Sequence, residues 1–250
     1  MRGNIISSFK KNQKYLIPAI IAIILVIAIL IIIARTASQS APREADPYMA
    51  ANSQGGLAQS YLAEKAPTLR EGDKIFGSAK APLKIFVYED YTSQYSAALA
   101  KTLDQIRVEA GDKIALIVRP YILANSPEAI RSALAVDCAG QQGKWLEMRA
   151  LLFKRAEGQS LVGADFYSGI EQIGLDKTKF SACLTNSEKS GKIEQAVAAE
   201  AAAYAIQGAP TMFVGQEMIL GARPYADFVD SNGDQIEGLK TLIDQKLGRS

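Results

Sequence analysis

The longest apolar run of the chain lies near its N-terminus. Residues 15–34 carry no charged side chain, and about 20 helical residues at about 1.5 Å each span the ~30 Å core of a bilayer. A cleaved signal peptide is the alternative, but its apolar part usually has only about 7 to 15 residues. The pattern therefore predicts an uncleaved transmembrane signal-anchor helix at 15–34.

Charges on either side of this run predict its orientation. Four basic residues, Arg2, Lys10, Lys11 and Lys14, precede it, whereas the residues after it mix both signs. Positively charged flanks stay in the cytoplasm. We therefore expect a cytoplasmic basic N-terminus at 1–14 and a single-pass protein of the cell membrane. Its remaining chain would be extracytoplasmic, periplasmic or extracellular, where disulfides persist.

Residues 35–67 show no sustained apolar period. They are rich in Ala, Ser, Gln and Gly, a composition typical of flexible linkers. The segment therefore predicts a flexible stalk at 35–67. Residues 68–250 are numerous enough to bury the core of one domain.

This domain opens with a strand, helix, strand pattern. Short apolar runs at 83–88 and 114–118 predict buried strands, and a helical period at 97–108 predicts an amphipathic helix between them. Strands joined by such a crossover are parallel and form a βαβ unit. The domain is therefore expected to be of the α/β class.

Helical periods dominate the middle of the domain, and strand patterns return near its end. A helical insertion is predicted at about 127–207, with helices at 128–139, 143–154, 164–173, 177–184 and 189–206. Strands follow at 211–214 and 218–220, joined by a tight connection at 215–217, and a last helix is predicted at 235–247. The predicted order is βαβ, helical insertion, ββα.

The amino-acid composition excludes several classes of catalytic and metal-binding site. The chain contains no histidine and only two cysteines, and its net charge is +2. Without histidine there is no Ser-His-Asp or Cys-His pair and no zinc site of the usual Cys/His kinds. The polar turn at 230–234 has its glycine at the wrong position for a calcium loop. We expect no metal, no cofactor and, because the charges are interspersed, no nucleic-acid partner.

Three short motifs occur in order along the domain. Residues 77–82 lead into the first strand and then into 90–96, Asp-Tyr-Thr-Ser-Gln-Tyr-Ser; residues 180–184 come after the helix that contains Cys138, and residues 208–211 read Gly-Ala-Pro-Thr. Together they resemble the DsbA-like branch of the thioredoxin superfamily, whose members usually show Asp-Tyr-x-Cys-Pro-Tyr-Cys and Gly-Thr-Pro-Thr, the latter with a cis proline that faces the active site. The resemblance covers most of 74–247 and implies a thioredoxin-like fold.

The chain departs from this family at both redox positions. Ser93 and Ser96 stand where the family has cysteines, and Gln94 stands where it has proline. A serine hydroxyl cannot form a mixed disulfide. The resemblance therefore implies the fold without its dithiol chemistry, and no catalytic residue is expected. At the start of the helix, Thr92 or Ser93 is expected to act as N-cap.

The resemblance also implies a use for the surface that remains. A cis X-Pro bond leaves a backbone edge on which an extended polypeptide can pair, so we expect a binding groove formed by Ser93, Gln94, Tyr95, Ala209 and Pro210. The protein would then be a non-catalytic, chaperone-like or adapter module for an extended polypeptide or a membrane-associated protein. Alternatively, the turn alone requires the proline.

Kappa-class glutathione transferases give a second hypothesis. They share this fold and carry Ser-Pro-Tyr-Ser in place of the cysteines, and their serine hydrogen-bonds a bound glutathione thiolate. By this fold-level analogy Ser93 would bind glutathione. The missing proline and the expected location outside the cytosol argue against it.

The two cysteines lie apart from these motifs. Cys138 and Cys183 fall on different predicted helices, and neither belongs to a Cys-x-x-Cys motif. We expect a structural disulfide that clamps the helical insertion, worth about 4 kcal/mol for a loop of this length. Two buried free thiols are one alternative, and a redox-active pair with thiol-disulfide oxidoreductase activity is another.

Overall fold

The computed structural model describes residues 60–123, 126–158, 169–230 and 233–249. The strands of these residues are β1 (Ser60–Leu62), β2 (Lys74–Gly77), β3 (Leu83–Glu89), β4 (Ile114–Pro120), β5 (Thr211–Val214), β6 (Glu217–Leu220), β7 (Phe228–Val229) and β8 (Gln235–Ile236). The helices are α1 (Gln94–Ala110), α2 (Pro127–Gly140), α3 (Trp145–Glu157), α4 (Lys177–Leu184), α5 (Ser187–Ala203) and α6 (Leu239–Lys246).

One mixed sheet organises these elements. Its strand order is β1-β6-β5-β3-β4-β2, and β7 pairs with β8 in a separate ribbon. β3 and β4 are parallel, which confirms the predicted βαβ unit, whereas the other neighbouring strands of the six-stranded sheet are antiparallel. The thioredoxin-like order of βαβ, helical insertion and ββ is thus present.

β3 lies at the centre of the sheet and is buried on both faces. Side chains alternate between the faces of a strand, so Ile85 and Val87 pack with α1 and α6 on one face. Phe86 and Tyr88 pack on the other face with β4, β5 and the residues that end α5. A third apolar cluster, made mainly by α2 and α3, surrounds Tyr91. The functional segment after β3 therefore starts from a rigid base.

Three boundary predictions are corrected. Ser60–Leu62, within the predicted stalk 35–67, form β1 and pair with β6; their side chains are exposed, so no apolar alternation marks the strand. Residues 235–236 form β8 against β7 instead of opening the predicted helix 235–247. Part of the predicted helix 164–173 also differs, since residues 169–174 form turns, whereas 164–168 lie outside the described residues.

The start of α6 lies close to the chain just before β7. Gly238 caps the helix, and a Cβ atom at this position would lie 2.3 Å from the carbonyl carbon of Ala226. The backbone just before β7 therefore approaches the helix start as closely as a glycine allows.

Several predictions concern residues outside the described ranges. The cytoplasmic segment 1–14, the transmembrane run 15–34 and residues 35–59 of the stalk all lie there. Within the ranges that the structure describes, no helix is long and apolar enough to cross a membrane.

Candidate functional site

The site begins where β3 ends and α1 starts. Ser93 has an extended backbone conformation, and its Oγ accepts hydrogen bonds from the backbone N–H groups of Tyr95 at 3.2 Å and Ser96 at 3.3 Å. These N–H groups have no partner within the helix, and an N-cap hydroxyl satisfies them. The predicted capping role of Ser93 is confirmed.

Internal hydrogen bonds close the segment 90–96. Thr92 donates from its backbone N–H and its hydroxyl to Asp90 Oδ1, at 2.8 and 2.6 Å. Asp90 in turn donates its N–H to Ser96 Oγ at 3.2 Å. Ser96 has no exposed surface, whereas Ser93 is only partly buried. Of the two serines, Ser93 alone is open to a ligand.

The cis proline lies at the same end of the sheet. The Ala209–Pro210 peptide bond is cis, and Thr211, the next residue, pairs with Tyr88 in the ladder between β5 and β3. Tyr88 stands two residues before Asp90, so the ladder brings the 90–96 segment and the proline loop to one edge. Ala209 is half-buried and Pro210 is buried.

A buried ion pair holds the end of β3, directly before the 90–96 segment. Glu89 is fully buried and Arg149 is 5 % exposed. The guanidinium donates from Nε to Oε2 at 2.7 Å and from Nη2 to Oε1 at 2.5 Å. This bidentate pair joins the last residue of β3 to α3. Burial lowers the pKa of Arg149, but the charge and hydrogen bonds of the Glu89 carboxylate outweigh it, so this pKa lies above its ordinary value.

Tyr91 lies beside this pair in the third apolar cluster. Its ring packs against Phe153, with ring centroids 5.7 Å apart, and its buried hydroxyl has no hydrogen-bond partner among the described residues. Burial raises the pKa of Tyr91, and the Glu89 carboxylate raises it further. The phenol is therefore neutral at physiological pH.

Tyr121 borders the site from the neighbouring strand. Its backbone N–H donates to the carbonyl of Glu89 at 2.8 Å, so the chain continues beside β3 after β4 ends. Burial raises the pKa of Tyr121, and the nearby Asp90 carboxylate raises it further. Sequence analysis did not select this residue, although its position directly after the second buried strand is a usable signal.

A second polar cluster lies on the other face of the sheet and was also missed. Arg119 is 2 % exposed and donates to both carboxylate oxygens of Asp73 at 2.9 Å, to the carbonyl of Thr68 at 2.7 Å, to Tyr88 Oη at 3.2 Å and to Glu200 at 3.1 Å. A buried charge must be paired. An arginine that follows the apolar run 114–118 is the signal that predicts such a cluster.

The cysteines form a disulfide, as predicted. Cys138 in α2 bonds Cys183 in α4, with Cα atoms 5.8 Å apart. Lys189 Nζ lies 3.7 Å from Cys183 Sγ and 2.7 Å from Asp137 Oδ2. Because the chain has only these two cysteines, no thiol remains near Ser93. Among the described residues, no cluster of His, Cys, Asp or Glu is suited to hold a metal ion.

Curated relatives match part of the chain. The Na(+)/H(+) antiporter NhaA 1 of Mycobacterium sp. (strain KMS) is 32% identical over 115 residues, which is 46% of this chain and 18% of that protein. The Na(+)/H(+) antiporter NhaA 3 of Salinispora tropica is 27% identical over 160 residues, 64% of this chain and 24% of that protein. The matched segments thus make up about a fifth to a quarter of these relatives' length.

Solved structures match more of the chain. A thioredoxin-like oxidoreductase from Silicibacter pomeroyi has a TM-score of 0.54 at 18% identity, covering 72% of this chain and 95% of its own. Alpha-DsbA1 from Wolbachia pipientis has a TM-score of 0.54 at 16% identity, covering 72% and 93%. At such identities the likeness establishes the fold alone.

A family model described as thioredoxin matches residues 69–244. This range is more than two thirds of the chain and contains the capped helix start, the cis proline and the disulfide. The chain therefore belongs to the thioredoxin family and has the fold of its DsbA-like members.

Proposed function

We propose that the chain is a membrane-anchored, extracytoplasmic thioredoxin-fold protein that has lost its redox dithiol and binds extended polypeptide. It acts as a chaperone-like or adapter module and not as an oxidoreductase. The apolar run 15–34 anchors it, and the domain lies outside the cytoplasm.

This proposal rests on which residues occupy the start of α1. Thiol-disulfide exchange needs a thiolate, but the positions that match the family's cysteines hold Ser93 and Ser96, and the chain's two cysteines bond each other. The half-buried Ser93, Gln94 and Tyr95 remain at the sheet edge that also holds the cis proline. Hydroxyl, amide and ring groups of this kind suit the binding of an extended backbone.

Charge around the site favours uncharged stretches of a partner. No lysine or arginine occurs at 85–100 or at 205–222, Glu89 is paired inside the protein, and Asp90 accepts hydrogen bonds from Thr92. We therefore expect segments rich in apolar and uncharged polar residues. The antiporter names of the curated relatives support a membrane-associated protein as the source of such a segment.

The test places a photo-crosslinking residue at Gln94 in the full chain. Gln105, an exposed glutamine of the same helix, is the matched control position. The probe is a reduced and alkylated, permanently unfolded polypeptide, compared with the same polypeptide in its folded form. We expect an adduct at position 94 with the unfolded probe only, and no adduct at position 105.

Equal yields at the two positions, or no adduct at position 94, would overturn the proposal. Pro210→Ala should lower the yield at position 94, provided that circular dichroism of the variant matches the parent. A yield that does not change in a folded Pro210→Ala variant would remove the proline loop from the groove.

Glutathione binding is the alternative that the geometry of Ser93 favours. A hydroxyl that accepts hydrogen bonds from the helix N–H groups can still donate its own hydrogen to a thiolate. Calorimetric binding of glutathione that Ser93→Ala abolishes would replace the polypeptide proposal, and absence of binding rejects the alternative. Oxidoreductase activity through Cys138 and Cys183 is tested by turnover of a dithiol substrate, which Cys183→Ser would abolish.

A further inference from the structure

We propose that the Cys138–Cys183 disulfide is a redox-controlled latch that keeps helix α5 docked on the domain. Reduction by a dithiol releases the start of α5 and opens the polar cavity beneath it. This device uses residues remote from Ser93 and operates whatever ligand binds there.

Helix α5 has little apolar packing of its own. Val197 is its only buried residue, and Ile193 and Ala201 pack against apolar clusters while partly exposed. By comparison, α2 buries more than half of its residues. Apolar burial is the main force that docks a helix on a domain. The position of α5 therefore depends on other contacts.

Ion pairs hold α5 near both ends. Lys189, in its first turn, lies 2.7 Å from Asp137 of α2, and Glu200, in its last turn, accepts from Arg119 at 3.1 Å and pairs with Arg70. The Lys189 and Asp137 side chains are 21% and 32% exposed, and that of Arg70 is 47% exposed. Dissolved salt weakens the two more exposed pairs, Lys189 with Asp137 and Arg70 with Glu200. The pair of Arg119 with Glu200, whose side chains are 3% and 12% exposed, is screened much less.

The disulfide supplies the covalent contact. It joins α2 to α4, and only residues 185 and 186 separate α4 from α5. While the bond is intact, the first turn of α5 cannot move far from α2. Once it is broken, the helix keeps the packing of Val197 and of the partly buried Ile193 and Ala201, together with the ion pairs.

The surroundings of the bond make Cys183 the sulfur that a reductant reaches. Cys138 is 1% exposed, whereas Cys183 is only partly buried. The Lys189 ammonium lies 3.7 Å from Cys183 Sγ. A cation at this distance attracts an approaching thiolate and stabilises a thiolate that forms there.

The reaction is a two-electron reduction by a dithiol. One thiolate of the reductant attacks Cys183 Sγ, the bond between the cysteines breaks, and Cys138 leaves with the electron pair and takes a proton from solvent. The second thiolate then attacks the reductant's own sulfur in the mixed disulfide and expels the Cys183 thiolate beside Lys189. The reductant ends as a disulfide and the protein holds two reduced cysteines.

Release of α5 opens a defined space. A cavity of about 160 Å³ lies beneath the helix, and its lining includes Asp73, Val118, Arg119, Val197 and Glu200. The residues that follow α5 cover the same face of the sheet, where the rings of Tyr204 and Phe213 lie 6.1 Å apart. Movement of α5 would therefore expose charged and aromatic groups that are covered in the oxidised protein.

Hydrogen exchange of the full chain, read by mass spectrometry, tests the latch. After complete reduction with dithiothreitol we expect exchange of the α5 amides to accelerate by more than about tenfold beyond the acceleration in α1, β3 and β4, which reports the loss of global stability. Salt at about 0.5 M should accelerate α5 further in the reduced protein and have little effect on the oxidised one. The double variant Cys138→Ser and Cys183→Ser should reproduce the reduced behaviour without reductant.

Two lysines of α5 give a matched comparison under reducing conditions. Lys189→Gln removes the inward pair with Asp137 and should accelerate exchange in α5. Lys192→Gln removes only the pair with Glu188, whose side chains are 71% and 76% exposed, and should leave exchange unchanged. Equal effects of the two substitutions would overturn the role given to Lys189.

Three further results would overturn the latch itself. Unchanged exchange in α5, with both cysteines shown by alkylation to be reduced, would mean that the helix docks without the bond. An equal acceleration of exchange in α5 and in the core elements would mean global destabilisation without a local release. A native disulfide that resists dithiothreitol until the domain unfolds would mean that Cys183 is not accessible.

Discussion

Removal of the Arg149 guanidinium is expected to destabilise the domain strongly. Glu89 has no exposed surface and Arg149 is 5% exposed, and two hydrogen bonds of 2.7 and 2.5 Å join them. Arg149→Met leaves a buried carboxylate without its cation, and breaking a pair of this kind costs about 3–5 kcal/mol. Since each kcal/mol lowers the Tm of a domain of this size by about 2–4 °C, the Tm should fall by about 6–20 °C.

The double variant separates the pair from the packing around it. Glu89→Met combined with Arg149→Met replaces two buried charges by apolar side chains. Such replacements are often neutral or stabilising, so we expect the free energy of unfolding to return to within about 1 kcal/mol of the parent. The single variants and the double variant together form a thermodynamic cycle whose coupling energy is the measured quantity.

Urea unfolding of the full chain in mild detergent, followed by far-UV circular dichroism, supplies these energies. The control is Glu147→Gln in the same helix, which breaks a pair with Lys144 whose side chains are 38% and 42% exposed. An exposed pair contributes about 0–1 kcal/mol. If Arg149→Met also cost less than about 1 kcal/mol, the carboxylate would be hydrated in solution and the buried support of the site would be refuted.

Four further outcomes are expected in the same protein. Ser93→Ala should lower the free energy of unfolding by about 1 kcal/mol, through loss of the cap. Ser93→Cys should show a thiol pKa below about 8.5 in the pH dependence of its alkylation, because two helix N–H groups point at this position; a higher value would contradict this. Replacing Cys138 and Cys183 by serine should cost about 4 kcal/mol in urea unfolding. Burial raises the pKa of Asp137, but hydrogen bonding to Lys189 outweighs this effect, so the pKa lies below its ordinary value of 3.8. The ionised carboxylate therefore stabilises the folded state at pH values above 3.8. The stability difference between Asp137→Asn and the parent should therefore shrink as the pH falls from 3.8 through the lowered pKa.

Local sequence patterns predicted the elements whose side chains are buried. The apolar run at 83–88 became β3, and the helix predicted at 128–139 became α2, which buries more than half of its residues. β1 was missed because its three exposed residues are a strand only through backbone pairing with β6. The ribbon of β7 and β8 was missed for the same reason, since each strand has two residues.

The residues of the candidate site also differ in whether local sequence predicts them. Ser93 was found as the helix cap because capping depends on its own residue type and on the helix that follows. Glu89 and Arg149 were missed because they are 60 positions apart, and a single sequence contains no sign that two distant charges share one buried position. Arg119 is the exception, because its position directly after five buried apolar residues of β4 predicts a buried charge that needs partners.

The polar contacts around Ser93 favour binding over nucleophilic chemistry. The N–H groups that would stabilise a thiolate at this position instead donate to a neutral hydroxyl, which contributes to folding. Asp90, Thr92 and Ser96 close the loop by hydrogen bonds, and the pair of Glu89 with Arg149 fixes the strand end beneath it. A surface held in this way loses little conformational freedom when a ligand binds, and such preorganisation is a source of affinity. The segment at 90–96 therefore has the rigidity that the proposed polypeptide site needs, and it contains no cysteine that could supply a thiolate.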